Sequence, residues 1–114
     1  MDYQEGMRIF QAIKISGNAG DENWQDLYLE MLTCAVKYAQ TRANWYFMNT
    51  SQRSDKDSHR TIQHTAFIAN LSILTRYVKS QGHNAEWEPI LEQDRKEIGD
   101  LACYIYCALS IQSR

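Results

Sequence analysis

The chain has 114 residues, of which 44% are hydrophobic and 23% are charged, and its formal net charge is −2. These values lie near the averages for globular proteins and exclude disordered and fibrous classes. The 12 basic and 14 acidic residues are spread along the chain, which argues against binding to nucleic acid or to a membrane surface.

The first predicted helix is short and amphipathic. Its apolar residues recur at helical spacing, at Tyr3, Met7, Phe10 and Ile13. We expect it to end in the turn-forming cluster 16–20, which contains two glycines. It should therefore lean on a larger core formed by the other helices.

The second predicted helix is longer, and Asp21 or Asn23 can cap its start. We expect it to continue to about Asn49. Its apolar stripe consists of Trp24, Tyr28, Met31, Ala35, Tyr38, Ala39 and Trp45.

Arg42 stands on this apolar stripe and is the first polar residue that the pattern singles out. An arginine that is truly buried needs a carboxylate partner, because an unpaired internal charge costs several kcal/mol. Asp57 and Asp100 are the candidates, and the ring of Trp45 could stack on the guanidinium.

The third predicted helix follows a polar loop at 49–54, where Ser54 and Asp57 approximate a capping box. Gly82 should end it in a left-handed cap. Its core stripe consists of Phe67, Leu71, Leu74 and Val78.

Arg60 and His64 project within about 40° of this stripe, at roughly 100° per residue. They either line a polar pocket, with His64 contacting a ligand and Arg60 clamping an anion, or bond locally where the stripe frays. Together with Arg42 and Asp100 they form the predicted polar cluster.

The fourth predicted helix begins at about Pro89 or Gln93 and runs nearly to the end of the chain. From Ile98 onward it is apolar almost all round, which is typical of a central or interface helix. One of its faces carries the small residues Gly99, Cys103 and Cys107, which permit close helix approach. This face could form a homodimer interface or pack within the chain.

Four helices without sustained strand alternation predict an all-α fold, an antiparallel four-helix bundle of three long helices and a shorter N-terminal one. We expect one domain over residues 1–114. The single proline and five glycines leave few breaks, which agrees with long elements.

No signal-peptide pattern opens the chain, and the longest apolar stretch is far shorter than the ~20 residues of a membrane span. Three cysteines without metal-like spacing fit a reducing compartment. We therefore expect a cytoplasmic protein. No catalytic residue, metal site or cofactor is predicted, because the histidines lack ligand spacing and the cysteines lie in apolar runs.

One set of residues, spread over about half of the chain, follows a pattern known from other proteins: Asp57, Arg60, His64-Thr65-Ala66-Phe67-Ile68, Asn70-Leu71, Leu74, Arg76-Tyr77, Trp87, Asp94-Arg95 and Ile98-Gly99-Asp100-Leu101-Ala102. In these residues the chain resembles a family of small all-helical bacterial proteins of unknown function, found mainly in Gram-positive bacteria. The resemblance implies a bacterial cytoplasmic helical protein and no particular activity.

The sequence favours a noncatalytic interaction or regulatory module that self-associates or binds a protein partner. An alternative comes from Glu97 and Asp100, whose E-x-x-D spacing is similar to the second acidic motif of all-α nucleotide pyrophosphohydrolases. Two such acids can hold magnesium through their oxygens. The upstream E-x-x-E of those enzymes has no counterpart here.

Overall fold

The computed structural model describes residues 1–17 and 21–112. Within these residues the chain forms α-helices and one 3₁₀-helix and no strand, so the predicted all-α bundle is confirmed. The predicted turn at 16–20 lies partly outside the described residues. The helices are α1 (Tyr3–Ile15), α2 (Glu22–Trp45), α3 (Thr50–Ser80), the 3₁₀-helix Glu88–Glu92 and α4 (Arg95–Gln112).

The start of α3 differs from the prediction and lies four residues earlier than Ser54. Asn49 caps it, since its side chain accepts a hydrogen bond from the Gln52 amide at 2.9 Å. The Gln52 side chain accepts in return from the Asn49 amide at 3.0 Å. This reciprocal capping box satisfies backbone donors that a loop would leave to water, so the polar stretch 50–54 is helical. Helix α2 ends at Trp45, a few residues before the predicted end at about Asn49.

Helices α2 and α3 run antiparallel. At one end, the Tyr77 hydroxyl donates a hydrogen bond to Asp21, the residue that caps α2. At the other end, Arg53 Nε donates to the Trp45 carbonyl at 3.0 Å. Both ends of the pair are therefore tied by side chains, and the turn between them is short.

Helix α4 runs in the same direction as α1 and α3 and antiparallel to α2. It begins beside the middle of α3, where His64 contacts the Arg95 carbonyl, and lies along α1, where Gly6 sits against Tyr104. This arrangement requires the segment 81–94 to travel back along the bundle between α3 and α4. The connection is therefore longer and more structured than the sequence indicates.

The segment 81–94 is anchored by buried contacts. Gly82 has a φ of +81° and turns the chain out of α3, as expected for a residue past a helix end. Trp87 is buried, and its indole N–H donates to the Thr75 hydroxyl of α3 at 2.8 Å. Ile90 also lies in the core. The connection thus forms part of the hydrophobic interior.

The core joins all four helices in one cluster of buried residues. Its fully buried members come from the predicted apolar stripes of α1, α2 and α3 and from the apolar part of α4. Within the described residues, no helix has both the length and the apolar composition that a membrane crossing demands. The residues with no measurable exposure are Ile13, Met31, Ala35, Phe67, Leu71, Leu74, Leu101, Ala102 and Ile105.

Candidate functional site

A cavity of about 320 Å³ lies where the C-terminal part of α2 meets α3 and the first turn of α4. Three of the four residues of the predicted polar cluster, Arg42, Arg60 and His64, line it. The fourth, Asp100, lies behind Arg42 and pairs with it. The complete lining is Tyr38, Arg42, Trp45, Tyr46, Arg60, Thr61, His64, Arg95 and Lys96.

Arg42 on α2 and Asp100 on α4 form an ion pair of 2.9 Å. Asp100 was one of the two partners that the sequence suggested for Arg42. Their side chains are 21% and 12% exposed. Burial works to raise the pKa of Asp100, but the hydrogen bonds and charges of Arg42 and Lys96 outweigh it, and the pKa lies below its usual value. Asp100 is therefore ionised, and it is shared between Arg42 and Lys96, the latter at 3.3 Å.

Arg60 lies at the rim of the cavity, and its guanidinium carbon is 4.3 Å from the centroid of the Trp45 ring. The sequence analysis suggested that this ring could stack on Arg42. The ring instead contacts Arg60 and, at 5.7 Å, Arg53, because Trp45 at the end of α2 turns toward α3. Asp57, the other candidate partner of Arg42, pairs with Arg60 at 3.5 Å on the surface. Exposed pairs of this kind contribute little to stability.

His64 is 3% exposed and packs edge-on against Tyr38, with ring centroids 5.0 Å apart. Its Nε2 lies 2.8 Å from the Arg95 carbonyl oxygen. Its Nδ1 is buried and has no hydrogen-bond partner among the described residues. Burial lowers the pKa of His64, and although the hydrogen bond to Arg95 opposes this, the nearby charges of Arg95, Arg60 and Arg42 lower it further.

Arg95 and Lys96 belong to the site but were missed by the sequence analysis. Both stand on the polar side of the first turn of α4, where basic residues look like ordinary solvent-exposed charges. No signal in the sequence points to them, because the contact of His64 with the Arg95 carbonyl arises only when the segment 81–94 folds back along the bundle. Within the described chain, Arg95 forms no ion pair.

The predicted small-residue face of α4 packs partly within the chain. A Cβ on Gly99 would lie 2.7 Å from the Tyr38 hydroxyl oxygen, so glycine permits close contact with α2. Cys103 faces the same helix, since the Arg42 guanidinium approaches its sulfur at 3.8 Å. Cys107 is exposed. Burial raises the pKa of the Cys103 thiol, which keeps it protonated and a poor nucleophile.

Glu97 and Asp100, the acidic pair of the enzyme alternative, are both paired with cations of the chain. Glu97 accepts a hydrogen bond from the Met1 amino group, and Asp100 is held by Arg42 and Lys96. Across residues 1–17 and 21–112, no group of three or more His, Cys, Asp or Glu side chains could hold a metal ion.

The cavity wall thus combines four cationic side chains with aromatic rings and a neutral histidine. Such a wall can bind an anion through charge-assisted hydrogen bonds. Comparison of the chain with models of known protein families, with curated proteins and with solved structures finds no match.

Proposed function

We propose that this protein is a noncatalytic interaction module, and that its cavity between α2, α3 and α4 binds an anionic group of a ligand or partner. The observation that carries this proposal is the unpaired cation Arg95 in a wall that already holds Arg42, Arg60 and Lys96. A cytoplasmic, bacterial origin remains an expectation from the sequence.

The charges around the cavity do not balance. Asp100 neutralises one charge but is shared by Arg42 and Lys96, and Asp57 reaches only Arg60, from the surface. Arg95 has no carboxylate within the described chain. Asp94 already caps the N-terminus of α4 by accepting a hydrogen bond from the Glu97 amide, so the attraction for an anion comes from the side chains of the wall and not from the helix dipole. An anionic group of a ligand would give Arg95 the ion-pair partner that it lacks within the described chain.

The composition of the wall favours binding over catalysis. The lining residues include neither a carboxylate nor a cysteine, so the wall offers no oxygen ligands of the kind that magnesium-dependent hydrolysis uses. The acidic pair Glu97 and Asp100 would have to give up its ion pairs before it could bind a metal ion. We therefore favour the noncatalytic function over the pyrophosphohydrolase alternative.

Calorimetric titration with two dianions, sulfate and hydrogenphosphate, tests this function. We expect one ion to bind per chain and Arg95→Gln to weaken binding about tenfold or more, since hydrogen bonds to charged groups contribute roughly 1.5–3 kcal/mol. Lys37→Gln, which removes one positive charge from an exposed part of α2, should leave binding unchanged. Absence of binding at millimolar concentration, or release of pyrophosphate from a nucleoside triphosphate with magnesium, would contradict the proposal.

We further propose that the module self-associates, and that the outer face of α3 is the contact. Ile62, Ala66, Ala69 and Ile73 recur there at i, i+4, i+7 and i+11, which is the spacing of a coiled-coil seam. The two isoleucines are 62% and 38% exposed. The face is thus an apolar stripe that is exposed at Ile62, Ala69 and Ile73, whereas Ala66 is partly buried against the core.

A second copy of the chain fits this stripe in antiparallel orientation. Ile62 of one copy would then face Ile73 of the other, and the small alanines would face each other between them, allowing close approach. Asp55 and Arg76 are exposed near opposite ends of the stripe. An antiparallel pair brings the acid of one copy to the end that carries the base of the other, so the charges are complementary.

A further inference from the structure

The buried Nδ1 atom of His64 is the feature that the proposed anion site does not use. Nearly all buried polar atoms in proteins have a hydrogen-bond partner, and an exception calls for a partner from outside the chain, such as water or a ligand. Nδ1 is the one buried side-chain nitrogen or oxygen in the described residues that lacks a partner. His64 lines the cavity, so a molecule bound there can supply that partner once the side chains that cover Nδ1 move slightly apart.

The chemistry of the missing partner follows from the other ring nitrogen. A backbone carbonyl only accepts hydrogen bonds, so Nε2, which contacts the Arg95 carbonyl at 2.8 Å, carries the ring hydrogen. In a neutral imidazole the second nitrogen then holds a lone pair and accepts. The lowered pKa of His64 keeps the ring neutral at physiological pH. Nδ1 therefore requires a donor.

We propose that the ligand of this cavity is a small dianion that carries its own hydrogen-bond donor, of the hydrogenphosphate or hydroxyalkyl phosphate class, and that this donor binds Nδ1 of His64. The inference rests on the proposed anion-binding function and names its ligand class. Arg42, Arg60, Arg95 and Lys96 supply donors to the phosphate oxygens, whereas His64 is the acceptor in the same wall.

This arrangement discriminates between two ions of equal charge and similar shape. Hydrogenphosphate keeps one proton at neutral pH and can donate it to Nδ1. Sulfate has no proton to donate, so one of its oxygens would meet the lone pair of Nδ1 and the buried acceptor would stay unsatisfied. The arginines cannot make this distinction, because both ions present acceptor oxygens to them.

The volume of the cavity limits the size of the ligand. At about 320 Å³ it lies at the lower end of the range for small-molecule sites. Inorganic phosphate or a short phosphorylated polyol fits this volume, and the two share the chemistry that the wall requires. In a phosphate ester, which is fully ionised above its second pKa of about 6, the donor must be a hydroxyl of the organic part.

Calorimetry at about pH 8, where His64 is neutral, and at constant ionic strength tests the inference with two matched pairs. The first pair is hydrogenphosphate and sulfate, and the second is glycerol phosphate and propyl phosphate. We expect the donor-bearing member of at least one pair to bind about tenfold or more tightly than its partner, as leaving a buried acceptor unpaired predicts. The pair that shows the preference identifies free phosphate or a phosphorylated polyol as the source.

His64→Gln is the matched variant, because a glutamine amide can still donate to the Arg95 carbonyl but places no acceptor at the position of Nδ1. In this variant we expect the two members of a ligand pair to bind equally well, so that the ratio of their dissociation constants falls to near one. If the variant fails to fold, the ratio of dissociation constants within each ligand pair, measured on the unmodified chain, still tests the inference. Equal binding within both pairs overturns the inference and leaves the anion site standing, with Nδ1 satisfied by water. Failure of every ion to bind overturns the proposed function itself.

Discussion

At the scale of single residues, the Arg42–Asp100 ion pair links the cavity to the interior of the bundle. Both side chains are mostly removed from solvent, and Asp100 is also approached by Lys96. Removing Asp100 would leave the partly buried charge of Arg42 without a partner. The arginine would then keep the cost of its desolvation but lose the attraction to the carboxylate that offsets this cost. The pair therefore holds α2 and α4 in register and orients Arg42 at the cavity wall.

Asp100→Asn should destabilise the chain by about 1–3 kcal/mol, less than the 3–5 kcal/mol of a fully buried pair since Arg42 is 21% exposed. Urea denaturation measures this change. Asp57→Asn, which breaks the exposed pair with Arg60, is the control and should change stability by less than about 1 kcal/mol. Equal effects of the two variants would show that Asp100 behaves as a surface charge.

The same pair has a defined pH dependence. The pKa of Asp100 lies below its usual value in the folded chain, so the pair contributes its full stability above the ordinary aspartate pKa of about 3.9. The contribution is lost as the pH falls from there through the lowered pKa. The difference in stability between wild type and Asp100→Asn should therefore shrink in acid.

At the scale of the elements, the close contact between α2 and α4 depends on the absence of a side chain at Gly99. Gly99 leaves room for the Tyr38 hydroxyl, and Tyr38 in turn packs against His64 in the cavity wall. A side chain at residue 99 would push on this ring and through it on the cavity. Helix packing and the shape of the candidate site are thus coupled through one residue.

Gly99→Val should destabilise the chain by about 1–3 kcal/mol, because even its Cβ would overlap the Tyr38 hydroxyl. Helix propensity by itself predicts the opposite sign, since valine is a better helix former than glycine. Thermal unfolding followed by circular dichroism measures the effect, with Ala43→Val at an exposed position of α2 as control. A more stable Gly99→Val variant would mean that α2 and α4 can separate without loss.

At the scale of the whole molecule, the outer face of α3 and the cavity belong to different sides of the same helix. Arg60 and His64 face the cavity, whereas Ile62 lies about half a turn away on the outer stripe. A second copy docked on this stripe would leave the cavity open to its ligand. Self-association and anion binding can therefore operate independently.

Light scattering should give the mass of a dimer for the wild-type chain and of a monomer for Ile73→Asp, because a carboxylate in the apolar seam would be desolvated without a partner. Ile111→Asp changes an exposed isoleucine on α4 in the same way and should remain dimeric. A monomeric wild-type chain at high concentration would rule out the α3 contact. Unchanged helical circular dichroism would show that the variants still fold.

Much of this architecture could be predicted from the sequence, because it depends on local periodicity. The spacing of apolar residues identifies the core stripes of α2, α3 and α4, and it marks Arg42, His64 and Asp100 as polar residues on or beside them. The boundaries were less predictable. Asn49 with Gln52 and Ser54 with Asp57 both resemble capping boxes, and local pattern does not decide between them.

By itself the sequence determined that the protein is a helical bundle with polar side chains turned toward its interior, since the direction of a side chain follows from the 3.6-residue period. Only the tertiary structure decided which side chains meet. The course of the segment 81–94 brings Arg95 to His64, and the crossing of α2 and α4 brings Asp100 to Arg42. These contacts depend on the rotation and spacing of whole helices, which are set by packing between distant parts of the chain.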